Sequence, residues 1–243
     1  HPTMMKAAVQ AKTEGICQPI LLGNPDRLNR LAQRLKLDLS DIEIVDMRAD
    51  QEQGRRATYA KHLAKKRARQ GYNFEEAYDK MYERNYFGMM MVETGEADAF
   101  ITGLYTKYSN TIKVAKEVVG IRPEYKTFAT MHILNTKKGT FYIADTLINR
   151  HPDENVLMDV AKLSAHTVQF FNEEPHIAMI SYSNFGTDEV GSPMLKRCRS
   201  SILTSPSMVR CRSTSPLTRS YATTSIRSHA SRVLMSTRSC SPT

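Results

Sequence analysis

The sequence has no tryptophan and only four cysteines in 243 residues. Cys17 is the only one before residue 194; Cys198, Cys211 and Cys240 follow it. Such spacing builds neither a disulfide framework nor a zinc site, which fits a reducing cytoplasm. Cys17 sits before an apolar run and reads as a buried, inert thiol. No window approaches the ~20 apolar residues of a membrane span, so no membrane partner is expected. A basic-then-apolar export signal is missing from the start. No G-x-G-x-x-G follows an expected strand, which argues against a dinucleotide site within this chain. His132, His151 and His166 have no mutual spacing that argues for a metal, so none is expected.

A second set of absences marks the end of the chain. From Ser201 to Thr243 there is no Asp, Glu, Lys, Gly, Asn, Gln or Phe. Six arginines there supply +6 of the formal +9 and leave the first 200 residues near +3. A Ser/Arg-rich tail fits a disordered nucleic-acid or phosphorylation segment. The other reading is that 194–243 is a frameshifted, disordered tail rather than natural protein sequence. On that second reading, residues 1–193 form one α/β region.

About 190 residues are enough to bury a real core. A short amphipathic helix is expected over Met4–Glu14, ended by Gly15. Ile16–Leu22 reads as a strand, and Asp26 as the cap of a helix running to Leu35, with Leu28, Leu31 and Leu35 at helical spacing. A short strand spans Ile42–Val45. A long basic helix spans Gln51–Gln70, and another helix starts after Asn73. Arg84–Gly95 reads as a helix and Ala99–Thr102 as a short apolar strand.

Ser109 or Asn110 is expected to cap a helix with Ile112, Ala115 and Val119 on one face. Thr127–Leu134 and Thr140–Ala144 read as a hairpin across a Lys-Lys-Gly turn. Pro152-Asp153 opens a helix to Phe171, and His176–Ser181 is a final strand before the loop Tyr182–Pro193. Strands alternating with helices imply an α/β fold with a mainly parallel sheet flanked by helices.

Residues 84–103, RNYFGMMMVETGEADAFITG, are the most informative run. An apolar strand opening onto a Gly loop is where open α/β sheets place ligands. This run resembles the signature of the phosphate acetyltransferase family, most closely the copy of that domain on the C-terminal side of bacterial NADP-dependent malic enzymes. GICQPILLGN (15–24), TIKVAKEVVG (111–120), FYIADTLINRHP (141–152) and HIAMISYSNFG (176–186) extend the resemblance in order. Moving the frame by one nucleotide after Met194, with permissible codons, opens further words that look like the same family. The resemblance implies two α/β subdomains with a cleft, of the isocitrate/isopropylmalate dehydrogenase-like type. It also implies a family strand before the first helix, so the chain reads as incomplete at both ends.

The family moves an acetyl group between coenzyme A and phosphate. Anionic substrates call for Arg and Lys, and charge developing on oxygen calls for fixed donors. Candidate acyl-phosphate or coenzyme A contacts are Arg67, Thr111, Lys113, Asp145, Asn149, Ser181, Ser183 and Asn184. Arg67 aligns with a family active-site arginine, though basic runs are often solvated faces. Thr111 aligns with a family threonine at a helix start, a natural phosphate site or a simple cap. Lys113 stands where active members have arginine, and it lacks the bidentate fork. Lys107-Tyr108 replaces a small Ser/Thr pair, and Tyr108 is expected to fill the pocket. Asp145 and Asn149 are ligand contacts or local caps, and Ser181, Ser183 and Asn184 are ligand contacts or turn residues. No segment matches the family's Ser-Arg and Asp catalytic group, so no catalytic residue is assigned.

The resemblance therefore implies an acetyl-CoA-binding regulatory domain of a hybrid malic enzyme. Acetyl-CoA or an acyl phosphate is its ligand, and homo-oligomers are expected. NADP and a divalent metal would belong only to a separate malic enzyme domain. A catalytic phosphate acetyltransferase is the alternative. A basic nucleic-acid-binding protein is a remote third reading, without aromatic interleaving or a reader motif.

Overall fold

A computed structural model describes residues 1–103, 106–137 and 139–179, with the backbone of 180 and of 232–236. The chain forms two compact units, His1–Gly120 and Ile121–Thr243.

In the first unit, α1 (Pro2–Thr13) is followed by β1 (Ile20–Leu22), α2 (Pro25–Leu35) and β2 (Glu43–Val45). β1 and β2 pair in parallel, with Ile20 opposite Glu43 and Leu22 opposite Val45. β1 is shorter than expected. Gly15 turns at φ +69, Ile16 is 71% exposed, and Pro19 has no N–H to donate to a ladder. The cap of α2 is Asn24 rather than Asp26. Its side chain accepts from Arg27 N at 3.1 Å, Pro25 takes the first turn, and Asp26 faces the positive end of the helix. Cys17 is exposed, not buried, because the strand begins after it.

The long basic segment divides into a 3-10 turn at Asp50–Glu52, α3 (Gln53–Arg67) and a second 3-10 turn at Ala68–Gln70. Gly71 at φ +83 ends it, as the left-handed position requires. Asn73 caps α4 (Phe74–Lys80) by accepting from Glu76 N at 2.8 Å. The signature helix α5 spans Arg84–Glu93 and α6 spans Tyr108–Val118. Tyr59, Leu63, Phe87, Met90 and Val118 belong to the larger core cluster, with Tyr59 edge-on to Phe87 at 5.2 Å. Met5, Ala32, Leu39 and Ile42 form a second, smaller one.

Ala99–Thr102 is not a strand; no ladder forms there among the described residues. Phe100 instead lies against Gly88 of α5, where an added Cβ would come within 2.3 Å of its ring. α6 buries Val114 and Val118; of the expected Ile112, Ala115 and Val119 face, Ala115 packs against that core, Ile112 is half-buried and Val119 is exposed.

The second unit holds β3 (Met131–Thr136), β4 (Gly139–Ala144), α7 (Glu154–Phe170), β5 (His176–Ile180) and β6 (Arg232–Ser236). Their order is β3-β4-β6-β5, with every neighbour antiparallel. The hairpin fixes the first pair. Asp153 caps α7 by accepting from Val156 N at 2.8 Å. Leu157, Val160, Ala161 and Val168 of α7 pack on Tyr142, Ala144 and Ile177.

The α/β class read from the sequence is the one observed, with helices flanking a small parallel sheet; the expected mainly parallel pairing holds only for β1 and β2, because the hairpin and β6 make the four-stranded sheet antiparallel. The expected disordered tail lies outside the described residues except at Arg232–Ser236, where the backbone is a paired strand.

Candidate functional site

The candidate residues of the first unit converge on α6. Its C-terminal turn leaves carbonyls without intrahelical partners, and cations satisfy such groups well. Arg67, the last residue of α3, donates from Nε to Glu117 O at 2.5 Å and from Nη2 to Lys116 O. Lys66 donates from Nζ to Val119 O at 3.0 Å and pairs with Glu93. The basic run of α3 is therefore neither a simple solvated face nor a free ligand contact: two of its side chains hold the end of α6. Gly120 closes the helix at φ +85, and a Cβ there would lie 3.1 Å from Arg67 Nη2.

At its other end, α6 begins after Lys107, which makes no side-chain capping bond. The expected Ser109 or Asn110 cap does not form, because both residues lie inside the helix. Thr111, in the second turn, has its hydroxyl 3.2 Å from that of Thr106. Tyr108 is exposed and does not fill a pocket among the described residues. Lys113 is 68% exposed and leans on Glu117, one turn on, at 3.9 Å. Glu117 thus joins two candidate cations, with Arg67 on its carbonyl and Lys113 on its carboxylate.

That carboxylate is the hub of a network not anticipated from sequence. Its Oε2 accepts from Tyr72 at 2.5 Å and from Tyr86, and lies 3.9 Å from Lys80 Nζ. The Lys80 ammonium also sits over both rings, 5.2 Å from Tyr72 and 4.7 Å from Tyr86. Burial alone would raise the Glu117 pKa. Hydrogen bonds from the tyrosines and the charges of Lys80 and Lys113 outweigh it and hold the group below the ordinary carboxylate value. Burial, reinforced by the Glu117 charge, pushes Tyr72 up to about 12 and Tyr86 also upward. Both phenols therefore stay protonated donors. The residues come from three separated stretches, so no local spacing marks the network.

In the second unit, Asp145 and Asn149 form one closed loop. Asp145 Oδ1 accepts from Thr130 Oγ1 at 2.7 Å and Thr130 N at 3.2 Å; its Oδ2 accepts from Asn149 N at 2.8 Å and Nδ2 at 2.6 Å. Asn149 Nδ2 reaches Phe128 O as well, at 3.1 Å. Burial would raise the Asp145 pKa, but these donors win and lower it. The arrangement is that of local caps, tying the end of β4 to the segment before β3. Held ionised, the Asp145 carboxylate only accepts hydrogen bonds and repels negative charge, so it cannot itself hold an anionic group.

Ser181, Ser183 and Asn184 lie outside the described residues. His132 meets Thr146 at 2.6 Å and His166 meets Tyr125 at 3.2 Å. Among the described residues no group of His, Cys, Asp or Glu could hold a metal ion, and no helix is long and apolar enough to cross a membrane.

The two units, each of helices packed on strands, make an α/β fold with the candidate residues spread over both. Comparison with known proteins supplies the family. The family model described as phosphate acetyl/butaryl transferase matches residues 1–200, and the chain belongs to that family.

It is 33% identical over 193 residues to the NADP-dependent malic enzyme of Escherichia coli K12, covering 78% of this chain and 25% of that protein. It is 30% identical over 194 residues to the phosphate acetyltransferase of Thermoanaerobacterium thermosaccharolyticum, covering 77% of this chain and 58% of that one. The chain therefore spans a quarter to somewhat over half the length of these relatives. Its fold is similar to that of the EutD phosphotransacetylase from Staphylococcus aureus. That match has a TM-score of 0.71 and 22% identity, and covers 87% of this chain and 64% of that chain.

Proposed function

We propose that residues 1–193 are the acetyl-CoA-binding regulatory domain of an NADP-dependent malic enzyme and do not transfer acetyl groups themselves. The observation that carries this reading is the engagement of Arg67. Two donors of its guanidinium hold the carbonyls at the end of α6, where a catalytic arginine would be turned to an anionic substrate. Lys113 supports it, because a flexible point charge replaces the fork that a planar phosphoryl group favours. The start of α6 keeps what binding alone needs: first-turn amides without a side-chain cap, the Thr111 hydroxyl and an exposed ammonium. Acetyl-CoA or an acyl phosphate is the ligand class. NADP and a divalent metal would act in a separate malic enzyme domain, in a cytoplasmic and homo-oligomeric protein.

The second reading is a catalytic phosphate acetyltransferase, favoured by the relative from Thermoanaerobacterium thermosaccharolyticum. Calorimetric titration with acetyl-CoA, beside a thioester assay with acetyl phosphate and coenzyme A, separates the two. Binding without turnover is expected; turnover that rises in proportion to protein supports the second reading.

A further inference from the structure

We infer that β3 is the seat of a two-fold dimer, in which β3 of a second copy pairs antiparallel with it and joins the two sheets. This gives a surface to the homo-oligomer invoked above, and it does not depend on the acetyl-CoA reading. Among the described residues β3 is one edge of the four-stranded sheet and β5 the other. The two edges differ. In β5, Ile177 and Met179 are buried, and His176 and Ala178 are half-buried. In β3 every residue from His132 to Thr136 is exposed, Ile133 and Leu134 by 45% each.

Alternate N–H and C=O groups of an edge strand point away from its sheet and can pair with another chain. Edges are commonly blunted by a charge, a proline or a bulge. Met-His-Ile-Leu-Asn-Thr has no Lys, Arg, Asp, Glu or Pro, and it pairs with β4 residue for residue, without a bulge. Apolar surface continues beside it. Ile133 stands opposite Tyr142, so both side chains lie on the face that α7 covers. The Tyr142 ring is 6.0 Å from Phe171, and Phe171 is 5.5 Å from Phe170, which is 81% exposed. A contiguous exposed apolar patch of this kind marks an interaction surface.

Charge and symmetry select a second copy in one orientation. Lys137 directly follows β3 and is exposed. Parallel pairing of two β3 strands would set Lys137 against Lys137. A two-fold axis standing perpendicular to the sheet makes the pairing antiparallel, keeps α7 of both copies on one face and lets Ile133 meet Ile133. The two Lys137 residues then lie eight residues of strand apart, about 27 Å at about 3.4 Å per residue, well beyond a screening length of about 8–10 Å. Against the about 800 Å² per partner of a standard interface, one short strand with these side chains is modest, so the dimer is expected to be reversible.

The test is sedimentation velocity of the full chain over a concentration series, with reductant present so that no cysteine bridge contributes. Amide hydrogen exchange of β3 is followed beside it. The expected result is a mass rising from one chain to two, with β3 protection that grows with concentration. Ile133→Lys sets two ammonium groups opposite each other and should weaken the dimer by about ten-fold. Its melting temperature at the dilute end should match that of the wild type. Ile133→Thr keeps the β-branched shape, should weaken the dimer by about three-fold, and serves if the lysine variant does not fold. A single chain at every concentration overturns the proposal and the homo-oligomer reading together. An oligomer that neither Ile133 variant weakens, or growth past two chains, overturns this interface alone.

Discussion

Replacing Arg67 with alanine removes two donors from the carbonyl end of α6. A hydrogen bond from a charged group contributes about 1.5–3 kcal/mol when well shielded. Arg67 is only half-buried, and solvent screening reduces each bond to about 0.5–1.5 kcal/mol. The expected loss is therefore roughly 1–3 kcal/mol, with a further few tenths from the helix dipole. Arg67→Lys keeps the charge and loses the fork, and should cost about half as much. Urea denaturation gives the total, and amide hydrogen exchange locates it: amides of Ala115 to Gly120 should lose protection first. The reasoning is refuted if Arg67→Ala leaves stability and exchange unchanged while abolishing acetyl-CoA affinity. Arg67 would then serve the ligand and not the helix.

The clash of a Cβ at Gly88 with the Phe100 ring predicts that Gly88→Ala costs about 1–3 kcal/mol, read as a lowered melting temperature. Gly88→Ala with Phe100→Leu should recover part of it. Asp145→Asn should destabilise by roughly 2 kcal/mol near neutral pH, because the loop's donors lose a charged acceptor. The native pKa of Asp145 is depressed, so its stabilisation is present above the ordinary value of 3.8 and is lost as pH falls through the lower native value. The gap between wild type and Asp145→Asn, measured by denaturation, should thus be constant near neutrality and shrink below about pH 5. A gap that widens on acidification would contradict the depressed pKa.

Local signals were legible where the chemistry is local. Asn73 and Asp153 announce their helices because a side-chain oxygen needs only the N–H three residues on. Gly71 and Gly95 end theirs because glycine enters the left-handed turn without a Cβ penalty. Asn24 and Asp26 offer the same capping chemistry two residues apart, and Pro25 decides between them by fixing the first turn. Ala99–Thr102 reads as a strand by its apolar run, but Phe100 is drawn to the gap left by Gly88, twelve residues back, which no strand or helix periodicity encodes. Cys17 reads as buried by the same dependence on an apolar run, although the strand starts only at Ile20.

In the site, Asp145 and Asn149 fall four residues apart and were legible as a pair. Arg67 reads from the sequence as a ligand contact, whereas its described partners are helix-end carbonyls about fifty residues on, which no local spacing encodes. Glu117 was invisible for that reason too. Tyr72, Lys80 and Tyr86 reach it only once α4, α5 and α6 have packed, and no periodicity in one helix encodes that meeting.

The central claim is a domain that binds an acetyl-CoA-type ligand without transferring the acetyl group. The most direct measurement titrates the full chain with acetyl-CoA and, on the same preparation, follows thioester formation from acetyl phosphate and coenzyme A. The account predicts saturable binding and no turnover above the uncatalysed rate. Turnover proportional to protein, or no binding at all, would contradict it.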